Sequence, residues 1–311
     1  MATAFYSHPD CRLHDMGAGH PECPQRLGAI ADHLLASGLG ASLDQRDAPL
    51  ATLAQIGRAH ASGYVAELQA FMQQVQDTGQ PRYVDPDTLV GPGTWRAALR
   101  AAGAAVAATE AVFHGEVDNA FCSVRPPGHH AMRGTSMGFC FFNNVAIGAR
   151  HALDVLGLQR VAIIDFDVHH GNGTEDIIAG DERVLMASFF QHPLYPHTGD
   201  VPKGSNMVNV PIPPYTRGPA VREIIDAMWM PRLEAFAPQM VFISAGFDAH
   251  REDELGQLGL VEADYEWITR RIKGLADRHS SGRIVSCLEG GYALSALGRS
   301  VVAHLRVLAD V

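Results

Sequence analysis

The feature that most narrows the fold is a recurring alternation of short apolar runs with longer amphipathic stretches. The runs Val-Ala-Ile-Ile at 161–164, Met-Val-Phe-Ile-Ser at 240–244 and Ile-Val-Ser-Cys-Leu at 284–288 are apolar nearly throughout. A strand wetted on one face alternates polar with apolar residues, whereas a strand covered by helices on both faces does not. Such strands alternating with helix-length segments signal βαβ units and a mostly parallel sheet. The pattern predicts strands at 3–7, 119–124, 161–166, 184–189, 207–210, 240–244 and 283–288. Helices are predicted at 24–36, 63–76, 93–113, 143–156, 219–236, 262–278 and 294–308. The fold class is therefore α/β. No Gly/Ser/Pro-rich linker, charge block or repeat divides the chain, so one domain spanning 1–311 is the economical expectation.

Composition excludes several function classes. Hydrophobic content of 47% with 19% charged residues suits a packed globular chain rather than a disordered one. A net charge of −10 argues against nucleic acid as the direct partner, because phosphate binding needs clustered Lys and Arg. Lys203 and Lys273 are the only lysines, and with abundant Ala and Gly this points to a GC-rich bacterial source. Cys11, Cys23, Cys122, Cys140 and Cys287 are scattered without a C-x-x-C pair, which fits a reducing compartment and no disulfide framework. The N-terminus lacks a basic start followed by an apolar run. The Ala-rich stretch at 97–113 is interrupted by Arg100, Thr109 and Glu110, so no membrane span is expected. A cytoplasmic protein is expected, and nothing in the pattern argues against a homo-oligomer.

The polar residues of interest follow the ends of predicted strands, where ligand crevices form in parallel α/β sheets. The segment Asp165-Phe166-Asp167-Val168-His169-His170 packs two carboxylates and two imidazoles into six positions. Burying them is costly unless a cation compensates for lost hydration. Carboxylate oxygen with imidazole nitrogen suits zinc, whose catalytic sites take three protein ligands and leave one position for water. In extended chain Asp167 and His169 project the same way. The third ligand must come from elsewhere, and Asp248 in Ser-Ala-Gly-Phe-Asp is the best candidate. The alternative is a structural, internally satisfied polar cluster.

Two further clusters accompany it. Arg125-Pro126-Pro127-Gly128-His129-His130-Ala131 holds adjacent histidines, which read as acid/base groups beside the metal because imidazole titrates near neutral pH. Asp165 and Asn172 are available to orient the two imidazoles; inert surface histidines are the plain alternative. Glu289-Gly290-Gly291-Tyr292 combines backbone room for a close ligand with a phenol able to donate to an oxyanion, though Gly-Gly-Tyr also occurs in ordinary loops.

Taken together and in order, R-P-P-G-H-H-A, G-F-C-F-F-N-N, D-F-D-V-H-H-G-N-G-T, S-A-G-F-D and L-E-G-G-Y resemble the histone deacetylase and acetylpolyamine amidohydrolase superfamily of arginase-deacetylase fold. The resemblance runs from His20 to Tyr292 and is nearest the class II branch and its bacterial relatives. It implies a mostly parallel sheet of about eight strands with the active site at their carboxyl ends. It implies Asp167, His169 and Asp248 as zinc ligands, with Fe²⁺ as an alternative metal. It makes His129 and His130 the tandem histidines, with His130 as general base and then acid, Asp165 partner to His129, and Asn172 partner to His130 in place of a class I Asp. Tyr292 polarises the scissile carbonyl. Gly138, Phe139 and Tyr195 match the acyl tunnel, and His197 replaces a glycine common in that loop. Leu255 stands where polyamine-preferring relatives carry a glutamate, which favours acyl-lysine, although Glu252, Asp253 and Glu254 lie beside it. Arg26 matches an arginine of the internal exit cavity. Structural potassium is implied through Asp165, Asp167, His169, Ser188 and Phe189. His60 and Tyr64 read as structural. The resemblance thus implies a zinc-dependent deacetylase of an acylated amine or acyl-lysine peptide. Its rivals are an acetylpolyamine deacetylase, a two-metal ureohydrolase of arginase type and a non-catalytic acyl-lysine binder.

Overall fold

The computed structural model describes residues 2–311. Its strands are β1 (Thr3–Ser7), β2 (Leu43–Asp47), β3 (Arg82–Tyr83), β4 (Leu89–Val90), β5 (Asn119–Cys122), β6 (Val161–Asp165), β7 (Val184–Gln191), β8 (Met207–Ile212), β9 (Met240–Ala245) and β10 (Ile284–Leu288). Its helices are α1 (Gln25–Ser37), α2 (Leu53–Ile56), α3 (Ser62–Thr78), α4 (Thr94–Phe113), α5 (Asn144–Asp154), α6 (Asn172–Ile178), α7 (Gly218–Ile224), α8 (Met230–Phe236), α9 (Glu262–His279) and α10 (Leu294–Leu308).

Eight strands form one sheet in the order β2-β1-β5-β10-β9-β6-β7-β8, and β3 with β4 makes a separate hairpin. Every pairing in the large sheet is parallel among the described residues, in line with the expected mostly parallel sheet of about eight strands. Helices α4 and α5 pack together on the central strands, while α1, α10 and α9 form the second helical layer. The core strands β5, β6, β9 and β10 are buried at every position, the physical reason for their unbroken apolar sequence.

Two elements depart from the predicted pattern. Strand β2, Leu-Asp-Gln-Arg-Asp, is a sheet edge with a single buried residue, so it carries no apolar signature. The helix predicted at 219–236 is α7 and α8 joined by a π turn at Ile225–Trp229. Pro231, which has no N–H to donate back along the helix, lies just after the π turn, where the hydrogen-bond register changes. The Ala-rich α4 is close-packed rather than lipid-facing: a Cβ at Gly103 would lie 2.0 Å from the Pro49 carbonyl oxygen. No helix among the described residues is long and apolar enough to cross a membrane.

Two histidines are built into this core as neutral groups. His304 bridges Thr269 Oγ1 at 2.7 Å and Ser286 Oγ at 3.0 Å. His60 contacts the Met132 carbonyl through Nδ1 at 2.9 Å and accepts the Asn143 N–H at Nε2, also at 2.9 Å. Burial lowers His304 to about 3, and burial, against two backbone hydrogen bonds, lowers His60 to about 4. Both folded values lie below the unfolded one of about 6.5, so their contribution is complete above that pH and is lost as pH falls toward 4. Each is expected to cost up to about 1.4 kcal/mol per pH unit below 6.5. Urea unfolding between pH 7 and 5 measures this; a slope unaltered by His60→Gln and His304→Gln would refute it.

Candidate active site

Four adjacent strands, β5, β10, β9 and β6, release at their carboxyl ends the four motif-bearing loops. Segments far apart in sequence meet there because their strands are neighbours. Asp167, His169 and Asp248 each bring one ligand atom within 4.8 Å of the others. Backbone donors aim the carboxylates: Asp167 Oδ1 accepts from His169 N at 2.9 Å and Oδ2 from Gly290 N at 2.9 Å, while Asp248 Oδ1 accepts from Val168 N at 2.9 Å. Asp248 Oδ2 is buried and lies 3.2 Å from His169 Nδ1, yet has no hydrogen-bond partner. Glycines make room for the cluster. A Cβ at Gly246 would stand 2.0 Å from Asp167 Oδ2, and one at Gly290 would stand 2.0 Å from Asp248 Oδ2.

The electrostatics are those of two buried carboxylates crowded around one imidazole. Burial, then the charge of Asp167, raises Asp248 to about 7. Burial opposes ionisation of Asp167 as well, but His129 and His169 hold its carboxyl below the usual range. His169 is raised to about 10: burial resists its charge, and the two carboxylates prevail. An orphaned carboxylate oxygen and an O, N, O donor set fit a divalent ion of zinc type with a position left open.

The tandem histidines occupy the loop after β5, their ring centroids 4.0 Å apart. His129 Nδ1 is 3.0 Å from Asp165 Oδ2, and His130 Nδ1 is 2.7 Å from Asn172 Oδ1. Burial disfavours a charged His129, but Asp167 and Asp165 override it and raise the group well above its usual value. Burial and the charges of His129 and His169 push His130 well below its own. The loop backbone is clamped by Glu289, whose Oε2 accepts from Gly128 N at 2.7 Å and His129 N at 3.1 Å. Burial raises Glu289 to about 7.

A cavity of about 220 Å³ descends to His130 and His169. Phe139, Tyr195 and Leu255 wall it, with Tyr292 on one side. The Tyr195 ring is 5.2 Å from that of His130, and the Phe139 ring 6.2 Å from that of Tyr292. Gly138 (φ 57°) precedes Phe139 (φ 68°), and a Cβ at Gly138 would collide with the His130 ring at 2.5 Å. His197, also left-handed at φ 62°, occupies a conformation that favours glycine. Tyr292 is half-buried; burial, then Asp248, raises its phenol well above its usual value against the opposing charge of Arg26, so it remains a donor. The Arg26 guanidinium lies 5.0 Å from the Tyr292 ring centroid and donates to the Gly291 carbonyl at 2.7 Å.

The pattern of the histone deacetylase domain matches residues 20–308. The chain belongs to the histone deacetylase family. A probable deacetylase of Archaeoglobus fulgidus is 37% identical, the match covering 94% of this chain and 82% of that protein. The histone deacetylase-like amidohydrolase of Pseudomonas aeruginosa is likewise 37% identical, with 94% and 82% covered. The crystal structure of the HDA15 HD domain superposes with a TM-score of 0.92 at 33% identity, covering 99% of this chain and 90% of that one. The fold is thus the arginase-deacetylase fold, and the protein is a deacetylase-type hydrolase.

Within this deacetylase the remaining predicted residues lie away from the cavity. Ser188 and Phe189 are buried on β7, with Ser188 opposite Asp165 in the ladder and its hydroxyl 3.5 Å from Asn209 Oδ1. Three site residues escaped the sequence reading. Asp87, in the β3–β4 turn, lines the cavity and accepts the Gly138 N–H at 3.2 Å. Glu289 was read only as part of a glycine motif, although an acid directly after an apolar strand signals a buried acceptor. Asp253 stands in the sequence only as one of three acids beside Leu255, yet it is buried while Glu252 and Glu254 are exposed.

Proposed function

We propose that the chain is a zinc-dependent deacetylase, one catalytic unit over 1–311, that hydrolyses an N-acyl amide of acyl-lysine type. The observation carrying this reading is the three-ligand cluster with its unpartnered Asp248 oxygen, whose His169 lines an aromatic-walled cavity. Asp167, His169 and Asp248 would hold zinc, or Fe²⁺ in its place, which would supply the charge to acidify a water and polarise an amide carbonyl. His130, neutral and with Nδ1 engaged by Asn172, takes the water proton at Nε2 and returns it to the leaving amine. His129, oriented by Asp165, lends charge beside it. Tyr292 donates its phenolic hydrogen to the developing oxyanion. Phe139 and Tyr195 flank the alkyl chain, and Gly138 leaves room for the His130 ring beneath it. Acetate departs past Arg26. Segment 165–169 with Ser188 and Phe189 would hold a potassium ion, which would supply a fixed positive charge behind the ligand loop; the long Ser188–Asn209 contact supports a hydroxyl free for an ion. The acidic surface fits a cationic substrate in the cytoplasm and no nucleic acid.

Leu255 at the wall favours a monocationic acyl-lysine, while Asp87 at the cavity favours the alternative, an acetylated polyamine with a second ammonium. Zinc-loaded protein assayed on acetyl-lysine peptides and acetylated polyamines decides between them. The expected result is a kcat/KM at least about tenfold higher on the peptide, the scale of one discriminating contact. A reversed preference selects the polyamine, and binding without hydrolysis of either would leave only an acyl-lysine binder.

A further inference from the structure

One buried acid, Asp253, holds two cavity walls at once. It is only 6% exposed, in the loop that follows the metal-ligand segment of β9. Its Oδ2 accepts the backbone N–H groups of Tyr292 at 2.6 Å and Ala293 at 3.0 Å. Its Oδ1 accepts the N–H of Leu255 at 3.0 Å, and its own N–H donates to the His250 carbonyl at 2.9 Å. Leu255 and Tyr292 both line the cavity. The two stretches tied together are 37 positions apart, Leu255 to Tyr292, and no strand pairing joins them.

The Tyr292 backbone needs such a tie. It follows Gly291, which sits at φ 118°, and it precedes α10, whose cap residue Ala293 makes no side-chain hydrogen bond. The first turn of α10 carries no acid either. A carboxylate from another loop therefore supplies the acceptor that a local cap would otherwise provide, with a charge of favourable sign for a helix start. Because its grip falls on the N–H of Tyr292 itself, it fixes the point from which the phenol projects.

We propose that Asp253 is a positioning residue for amide hydrolysis, aiming Tyr292 and setting its distance from the Leu255 wall. This rests on the reading of Tyr292 as the carbonyl donor. Asn at 253 offers one acceptor oxygen where the structure uses two. Asp253→Asn, Tyr292→Phe and the double variant are compared for kcat, KM and zinc content on an acetyl-lysine peptide. The expected result is a fall in kcat of about tenfold or more for Asp253→Asn, with zinc retained and KM changed far less. In the Tyr292→Phe background the same substitution changes kcat by less than about twofold, because residues acting as a unit are not additive. Equal losses in both backgrounds would overturn the proposal, as would a wild-type kcat in Asp253→Asn. Should Tyr292→Phe itself keep full turnover, the donor reading fails instead, and that outcome is visible before the double variant is consulted. Adding Ala293→Ser gives α10 a cap of its own. It is expected to recover the melting temperature of Asp253→Asn without recovering kcat. Full recovery of kcat would reduce Asp253 to a helix cap and overturn the proposal.

Discussion

Asp248→Asn leaves the protein folded but removes both turnover and metal-dependent stabilisation. Asparagine keeps an oxygen for the Val168 N–H, so the loop geometry survives. What disappears is the oxygen that has no hydrogen-bond partner and faces His169 at 3.2 Å. Losing a direct ligand exceeds the loss of an indirect one, which already lowers metal affinity or activity by about 10–100-fold, so turnover falls by more than about 10²-fold. The stability change has an unusual sign. Without metal, two buried carboxylates repel each other, and neutralising one of them does not lower the melting point. With free metal at about 100 times Kd, the wild-type protein gains about 2.7 kcal/mol, and the variant does not. Thermal melts with and without zinc measure both effects. A variant that retained the zinc-induced shift would show that Asp248 holds no metal.

Tyr292→Phe reduces kcat by about 10²–10³-fold, the usual consequence of removing one donor from a developing oxyanion. The phenol's acidity is suppressed by burial and by Asp248, so the proton it offers is present across the working pH range. The ring itself is retained in phenylalanine, and with it the Arg26 contact at 5.0 Å and the edge contact with Phe139. Fold, zinc content and KM therefore change little, and the loss appears in kcat. Single-turnover kinetics on an acetyl-lysine peptide check it; a chemical step as fast as wild type would exclude Tyr292 from the reaction.

The sheet and the site were legible to different depths. Strands β6, β9 and β10 declare themselves because both faces are dry, and the charged motifs directly after them mark the ligand-bearing rim. Strand β2 was hidden because an edge strand needs few apolar residues. The π turn between α7 and α8 was hidden because its residues keep helical periodicity and differ only in hydrogen-bond register. At the site, residues whose side chains face the cavity stood out by chemical type. Asp253 and Glu289 did not, because they act on backbone N–H groups of other loops, and no spacing rule links an acid to a backbone donor tens of residues away. Asp87 was missed for a related reason: it reaches the cavity through a two-residue-strand hairpin too short to leave a periodic signal.

The strand order has a consequence for biogenesis. Strand β10 lies between β5 and β9 in the sheet although it is the last strand to be synthesised. A ribosome-bound chain that has not yet extruded residues 284–292 has an open slot in the middle of its sheet, and no Gly290 N–H to restrain Asp167. The last strand to emerge therefore closes the sheet and completes the hydrogen bonding around Asp167 in one event.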